Sequence, residues 1–195
     1  IDGHNAPTWE CILIPHGSRL HFGLPRAGAR AYLAVAGGFE VPLVMDSRST
    51  HWASETGGHH GRPLKSGDVL YGGQAGPSVT QRIGTGLPGS LHPHYEHSVS
   101  LHIIPGPQYD FFANHSITAL TETSYTVSPQ SDRMGYRLAG PKIARKDSDP
   151  FISDGTAMGA LQVPSDGQPI LLMADRQTTG GYPKIAVVIS ADLPL

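Results

Sequence analysis

The residues best suited to chemistry lie in one polar segment, residues 175–184, which reads Asp-Arg-Gln-Thr-Thr-Gly-Gly-Tyr-Pro-Lys. Gln both donates and accepts hydrogen bonds, Asp accepts them, and Arg donates them through a planar fork. Such a set suits an amide, lactam or ureido group, which presents both N–H and C=O. Gly180-Gly181 lets backbone N–H groups approach an anion or a polarised carbonyl closely. A turn alone needs only two or three such polar residues, and functional side chains concentrate on loops that a rigid scaffold presents. The segment is therefore predicted to be functional.

Two other polar segments adjoin predicted strands and supply further candidates. Residues 131–138 place Arg133 and Tyr136 at the entry to a strand. Residues 162–170 begin with Gln162 at the end of one strand and pass through a Pro-Ser-Asp-Gly turn into the next. An arginine fork binds carboxylate or phosphoryl groups, and a glutamine amide can orient a lactam. The three segments together predict a site for a small amide or lactam substrate.

Residues 84–89 match the dinucleotide fingerprint Gly-x-Gly-x-x-Gly by letter. The fingerprint binds pyrophosphate only where it ends a strand and opens a helix. Pro88 and residues 90–93 open no amphipathic helix, so we interpret the match as part of a linker. The sequence also has no Walker A motif, which favours ATP binding by a partner or across an interface with one.

Histidines cluster at residues 59–60 and 92–97, but they lie in predicted loops without a Cys partner or a His-Glu-x-x-His helix. A metal site needs three or four convergent ligands on rigid elements, so no metal is predicted. Cys11 has no surrounding motif that would mark a nucleophile, and no Gly-x-Ser-x-Gly elbow is present.

Composition and charge argue against several classes of partner and compartment. The formal net charge is −2, with no basic patch to follow a phosphate backbone, so nucleic acid is not an expected partner. The longest apolar run, around residues 185–189, is too short to cross a bilayer, and no membrane partner is expected. The single Cys suits a reducing compartment. A cytoplasmic location is therefore predicted.

The elements that must position these segments are short strands. The 24 Gly and 17 Pro residues divide the chain into short pieces and leave little room for long helices. One short helix is predicted at residues 109–120. Apolar and alternating patterns predict strands at or within residues 19–22, 30–36, 65–70, 97–104, 124–127, 135–138, 160–163, 170–174 and 185–190.

This order of elements predicts an all-β fold class, mainly β with one or two short helices, built as closed or partly closed antiparallel barrels. Residues 76–94 are rich in Gly, Pro, Ser and Thr and are predicted to form a linker. The block before them has too few strands to close a barrel alone. Since the chain begins at Ile1 rather than Met, we expect the natural protein to be longer.

The sequence resembles the carboxyltransferase domain subdomain A/B family, also called the allophanate hydrolase subunit 2 family, over nearly its whole length. The decapeptide at residues 175–184 is highly specific for that family. The resemblance is carried by residues 30–39, 47–50, 64–70, 131–141, the Ile-Ser-Asp-Gly of 152–155, and 162–184.

The resemblance implies a pair of cyclophilin-like β-barrel subdomains. They would be a partial, truncated first barrel (A) at residues 1–75 and a second barrel (B) at residues 95–195, joined by the linker at 76–94. It also implies two partner proteins, one like the B subunit (KipI type) of a 5-oxoprolinase and one like its A subunit.

The leading function implied by the resemblance is that of one component of ATP-dependent 5-oxoprolinase, which opens the lactam of 5-oxo-L-proline to L-glutamate. ATP would be shared with the partner subunits. One alternative is a biotin-dependent urea or amide carboxyltransferase of the urea carboxylase type, for which biotin would be the cofactor. Another is a non-catalytic regulator of a kinase inhibitor, like KipA.

Under the leading hypothesis, the three segments receive roles in catalysis and binding. Arg133 and Arg176 would bind carboxylate or phosphoryl groups, and the Gly180-Gly181 backbone would stabilise charge on the lactam oxygen. The predicted catalytic residues are Asp175, Gln177 and Lys184. The predicted substrate-binding residues are Arg133, Tyr136, Gln162, Arg176, Thr178, Thr179, Gly180, Gly181 and Tyr182.

The sequence departs from the family pattern in three places. The amino-terminal Gln-Asp-Gly-Arg type motif is absent, the Gly that usually precedes Ser-Arg-Ser-Thr is Asp46, and residues 51–55 replace a glycine-rich loop. We therefore expect no full activity from this chain alone.

Overall fold

The computed structural model describes residues 1–146 and 151–193, which form parts of two compact units. The first unit is Ile1–Glu96 and the second is His97–Leu195. The residues predicted to do chemistry all belong to the second unit. Within the described residues, no helix is long and apolar enough to cross a membrane.

The second unit contains eight short strands and one α-helix among its described residues. The helix, α1, spans Asn114–Glu122. The strands are β1 (Ile103–Pro105), β2 (Thr126–Val127), β3 (Gly135–Ala139), β4 (Asp154–Gly155), β5 (Ala160–Gln162), β6 (Ile170–Leu172), β7 (Thr179–Gly180) and β8 (Lys184–Val188).

Six of these strands form one antiparallel sheet in the order β1-β8-β5-β6-β3-β2, and β4 pairs with β7 in a second, two-stranded sheet. The expected fold class, mainly β with antiparallel strands and a short helix, is confirmed. Among the described residues β1 and β2 are the end strands of the larger sheet. The closed cyclophilin-like barrel therefore stays a prediction.

The core of the second unit comes from the apolar runs that predicted its strands. Phe112 is fully buried, and Leu161, Leu171 and Ile185 are at most 4% exposed. Leu161 lies opposite Leu171 on β6 and opposite Ala186 on β8, so three neighbouring strands contribute to one apolar cluster. This packing makes the sheet a rigid support for the loops between its strands.

The helix predicted at residues 109–120 is divided in the structure. A 3₁₀ turn spans Tyr109–Phe111, and α1 begins only at Asn114. Phe112 has extended backbone and forms an isolated bridge with Arg145. The Phe112 ring is fully buried, so its packing in the core and its bridge to Arg145 prevail over the local helical pattern.

The first unit is organised by turns and isolated bridges. Its regular elements are three 3₁₀ helices, Trp52–Ser54, Val79–Arg82 and Gly89–Leu91, and the last two lie in the predicted linker. The strands predicted at 19–22, 30–36 and 65–70 are absent from this fully described unit. A strand needs a neighbour to satisfy its backbone, and only single bridges such as Phe39–Gly72 occur here.

Candidate functional site

The polar segment at residues 175–184 joins β6 to β8 and is fixed at its middle by the small sheet. Thr179 and Gly180 form β7, which pairs with Gly155 and Asp154 of β4. The backbone N–H of Thr156 also donates to the carbonyl of Thr178 at 3.0 Å. The segment is therefore held by β-pairing rather than forming a free turn.

Gln162, at the end of β5, lies beneath this segment and is 1% exposed. Its Nε2 donates to the Tyr182 carbonyl at 3.2 Å, and its Oε1 accepts from Gln177 Nε2 at 3.4 Å. A Cβ on Gly180 would lie 2.4 Å from Gln162 Nε2, so any side chain there would displace the buried amide. The buried amide thus fixes the segment from below.

A register irregularity in β8 places Lys184 on the same face of the sheet as Gln162. Leu161 pairs with Ala186, but the next residue, Gln162, pairs with Lys184, so Ile185 is the extra residue of a bulge. Cross-strand partners share a face of the sheet, and a bulge shifts that alternation by one residue. The bulge therefore places Lys184 on the face of Gln162 instead of the face of Leu161.

Lys184 is 3% exposed and is paired inside the protein. Its Nζ donates to Asp154 Oδ2 at 2.8 Å and to the Gly155 carbonyl at 2.9 Å. Gln108 completes the cluster, since its Oε1 accepts from the backbone N–H of Lys184 at 3.1 Å and its Nε2 lies 3.5 Å from Asp154 Oδ2. The hydrogen bond from Lys184, with that from Gly155 N–H, holds the pKa of the Asp154 carboxyl below its usual range.

Asp154 and Gln108 were not predicted as site residues. Asp154 lies in the Ile-Ser-Asp-Gly stretch that supports the family resemblance, and this was the one sequence signal that could have identified it as a site residue. Its partner Lys184 is 30 residues away, and Gln108 is 76 residues from Lys184. Only the sheet brings the three together.

Arg133 and Asp175 form a second contact group, where the chain enters β3 and leaves β6. Arg133 Nε and Nη2 donate to the two carboxylate oxygens of Asp175 at 2.6 and 2.9 Å, and the two side chains are 54% and 49% exposed. The backbone N–H of Asp175 donates to the Arg133 carbonyl at 2.9 Å. The pair holds the start of the polar segment against the start of β3.

Arg176 contains a buried donor without a partner. Its Nε has no hydrogen-bond acceptor among the described residues, although the atom is shielded from solvent. Leaving such a donor unsatisfied costs about 1–3 kcal/mol. An acceptor supplied by a ligand would remove that cost.

The remaining predicted residues differ in accessibility. Thr178, Thr179 and Gly181 are exposed, and Tyr182 is 45% exposed. Tyr136, opposite Leu171 in β3, packs against the hydrophobic core. Direct contacts join Gln162, Gln177, Gly180, Tyr182 and Lys184 into one group, which we call the amide cluster together with Asp154 and Gln108.

The described residues contain no group of three or more His, Cys, Asp or Glu side chains that could hold a metal ion. His92 instead stacks on Trp9 and bonds to the Leu87 carbonyl. Residues 84–88 lie between two 3₁₀ helices of four and three residues, the second of which begins at Gly89. They do not form the strand–turn–helix that a nucleotide phosphate needs.

The comparisons with known proteins agree on one family. The family model described as carboxyltransferase domain, subdomain A and B, matches residues 1–195. The 5-oxoprolinase C subunit of Escherichia coli (strain K12) is 42% identical over 195 residues, covering 99% of this chain and 60% of the relative. The 5-oxoprolinase C subunit of Haemophilus influenzae is 38% identical, covering 91% of this chain and 55% of the relative.

A solved structure shows the same architecture. The crystal structure of the K. lactis urea amidolyase superposes with a TM-score of 0.71 at 30% identity, covering 86% of this chain and 11% of that much longer chain. The chain thus spans about 60% of the length of the E. coli relative and 11% of the urea amidolyase chain.

Proposed function

The chain belongs to the carboxyltransferase domain family, subdomains A and B, and from that premise we propose that it serves in a 5-oxoprolinase. In this reaction the lactam of 5-oxo-L-proline is opened to L-glutamate with ATP. The observation that carries the proposal is the identity to the 5-oxoprolinase C subunit along nearly the whole chain. The geometry supports it through an amide cluster suited to a ligand with both N–H and C=O.

The proposed roles follow the chemistry of each group. Gln177 is exposed and donates to the buried Gln162. This hydrogen bond would orient the Gln177 amide toward a lactam. Arg176, whose buried Nε has no acceptor among the described residues, would donate to the substrate carboxylate or carbonyl. The backbone at Gly180-Gly181 would stabilise charge that develops on the lactam oxygen.

ATP fits poorly to the described residues, because the glycine-rich stretch at 84–89 is flanked only by single 3₁₀ turns. We therefore assign nucleotide binding to the partner subunits and derive no step through ATP from this chain. The partners would be proteins like the A and B subunits of a 5-oxoprolinase. A cytoplasmic location follows from the proposed assembly.

A second candidate function is carboxyl transfer to urea or a related amide, with biotin on a partner domain. The likeness to the urea amidolyase structure favours this candidate. Both reactions need a site for a planar amide, so the amide cluster serves either. They differ in the cofactor and in the product.

The test is reconstitution with the A-type and B-type partner proteins. We expect the proteins to co-elute in size-exclusion chromatography, and the assembly to release ADP when 5-oxo-L-proline is added. The isolated chain should show no such turnover. An assembly that carboxylates urea from carboxybiotin, and leaves 5-oxo-L-proline untouched, would establish the second candidate instead. Co-elution without either reaction would favour a regulator.

A further inference from the structure

In the amide cluster the carboxylate stands at the surface and the cation that holds it is enclosed. The Asp154 side chain is 54% exposed, whereas that of Lys184 is 4% exposed. The Lys184 ammonium donates to Asp154 and to the Gly155 carbonyl, and the centre of the Phe151 ring lies 5.8 Å from it. The group that a ligand can reach is therefore Asp154, and Lys184 lies behind it.

The Asp154 carboxylate keeps acceptor capacity on its exposed side. Oδ1 accepts from the Gly155 N–H at 2.7 Å, and Oδ2 accepts from Lys184 at 2.8 Å and lies 3.5 Å from Gln108 Nε2. An ionised carboxylate offers about four lone-pair positions. A ligand N–H can therefore be added without displacing the bonds that orient the group.

The strand pairing places this acceptor beside the predicted segment. Asp154 pairs with Gly180 across β4 and β7. Gly181 is exposed, and a Cβ there would meet only Ser153 Oγ at 3.5 Å, an ordinary contact. An acceptor for N–H thus lies next to a glycine backbone that can be approached closely.

We propose that Asp154 contacts the substrate, accepting the N–H of an amide, lactam or urea group, and that Lys184 is a positioning residue. The choice of 5-oxo-L-proline as the ligand rests on the proposed function. A carboxylate in this place selects for N–H, because a C=O or ring oxygen presented to it would be repelled. The sequence predicted Lys184 as catalytic and gave Asp154 no role, whereas here Asp154 takes the substrate contact and Lys184 positions it.

Electrostatics agree with the geometry. The hydrogen bond from Lys184 lowers the pKa of the Asp154 carboxyl, and the Gly155 N–H adds to the effect. The charged group that faces Asp154 from a neighbouring element is Lys184 on β8, while Gln108 and Gly180 bring no titratable group. Asp154 is thus ionised at neutral pH, as an N–H acceptor should be.

The test compares three variants in the reconstituted assembly. Asp154→Asn should lower kcat/KM for 5-oxo-L-proline by about a hundredfold, because it replaces one carboxylate oxygen, an acceptor, with an NH₂ donor that opposes the substrate N–H. Lys184→Met should lower kcat/KM less than Asp154→Asn does and should move its acidic limb to higher pH, because it removes the donor that orients Asp154 and lowers its pKa. Asp192→Asn, which removes a carboxylate paired with His102 elsewhere, is the control and should match the wild type.

Loss of fold is separated from loss of contact by a double variant. Asp154→Asn alone leaves the buried Lys184 without its counter-charge, which can destabilise the unit. In the Lys184→Met background that charge is absent, so Asp154→Asn should still abolish most turnover while melting like Lys184→Met.

The closing experiment measures turnover and binding together, by calorimetry with 5-oxo-L-proline and with its lactone analogue, in which a ring oxygen replaces N–H. We expect the wild type to prefer the lactam and Asp154→Asn to lose that preference. Turnover of Asp154→Asn within about twofold of wild type, or an unmoved acidic limb in Lys184→Met, overturns the inference and leaves the proposed function standing. If the wild type binds the lactam without turning it over, and Asp154→Asn loses that binding, the result contradicts the proposed reaction but supports the contact between Asp154 and the substrate. Absence of both binding and turnover in the wild type contradicts both.

Discussion

The two compact units bury their apolar side chains to very different extents. In His97–Leu195 the side chains of Phe112, Leu171 and Ile185 are at most 3% exposed. In Ile1–Glu96 every residue is described and only Gly58 and Gly61 are buried. Leu24 of this unit is 92% exposed. The second unit is thus held by a packed core and the first by polar contacts and turns.

The difference shows where a site can be built. Groups that do chemistry must be held in place by packing and by hydrogen bonds to their supports. The amide cluster has both, since Gln162 is buried under the polar segment and β8 is part of the core. The polar contacts of the first unit, such as the two bonds from Arg62 to Asp68 at 2.7 and 2.8 Å, fix a local turn instead.

The largest expected effect is on stability, from one substitution made in each unit. Leu171→Ala should lower the free energy of unfolding by about 2–5 kcal/mol, because it removes buried methyl groups and leaves a cavity. Leu24→Ala is the matched control and should change it by under about 0.5 kcal/mol, since that side chain is already in water. Urea denaturation followed by circular dichroism measures both. Equal losses for the two leucines would contradict the comparison.

The sequence predicted the elements of the second unit because apolar runs and strands coincide there. The run at residues 185–190 became β8 and that at 160–163 became β5. Similar runs at 30–36 and 65–70 did not become strands, because pairing depends on a neighbour that local pattern does not reveal. The short β4 and β7, of two residues each, carry too little pattern to be predicted.

The sequence predicted which segment carries the candidate site, but not which side chains contact one another there. Polar residues in succession at 175–184 were visible in the sequence. The contact of Lys184 with Asp154 depends on a bulge at Ile185 and on the pairing of β4 with β7, and both are properties of the folded sheet. Gln162 was predicted to bind substrate and Gln177 to be catalytic, but the sequence did not reveal that Gln162 is buried and Gln177 exposed.

The next effect concerns activity. Arg176→Ala and Gln177→Ala should each lower turnover of the assembly by about a hundredfold, or about 2.7 kcal/mol, because each removes a donor aimed at the substrate. The matched controls are Arg82→Ala and Gln81→Ala, an exposed Arg and Gln of the first unit, which should leave turnover unchanged. Melting temperatures should barely move in any of the four. Near-wild-type turnover of both site variants would mean that the segment does not contact the substrate.

A smaller effect is expected from the exposed ion pair beside the segment. Arg133→Ala should lower stability by at most about 1 kcal/mol, because both members of its pair with Asp175 are about half exposed to solvent. Thermal melts at low and high salt measure the loss, and salt should reduce it. A much larger loss, insensitive to salt, would show that the pair supports the core.

The smallest effect is the pH dependence of the first unit. The hydrogen bonds from Arg62, then that from the Lys65 N–H, hold the pKa of Asp68 well below its usual range. Its contribution to stability is therefore complete above the unfolded pKa of about 3.9 and is lost as pH falls below that value. Hydrogen exchange of residues 59–68 between neutral and acidic pH reports it. Arg62→Ala should abolish most of this dependence, and an unchanged profile would rule out the pair as its source.

We propose that this chain provides the amide-handling site of a lactam-opening assembly. The most direct measurement is the amount of L-glutamate formed from 5-oxo-L-proline for each ADP released by the chain with its A-type and B-type partner proteins. We expect coupled formation of both products by the wild-type assembly, and about a hundredfold less of both when Gln177 is replaced by Ala. ADP release without glutamate, or glutamate formation that does not depend on this chain, would contradict it.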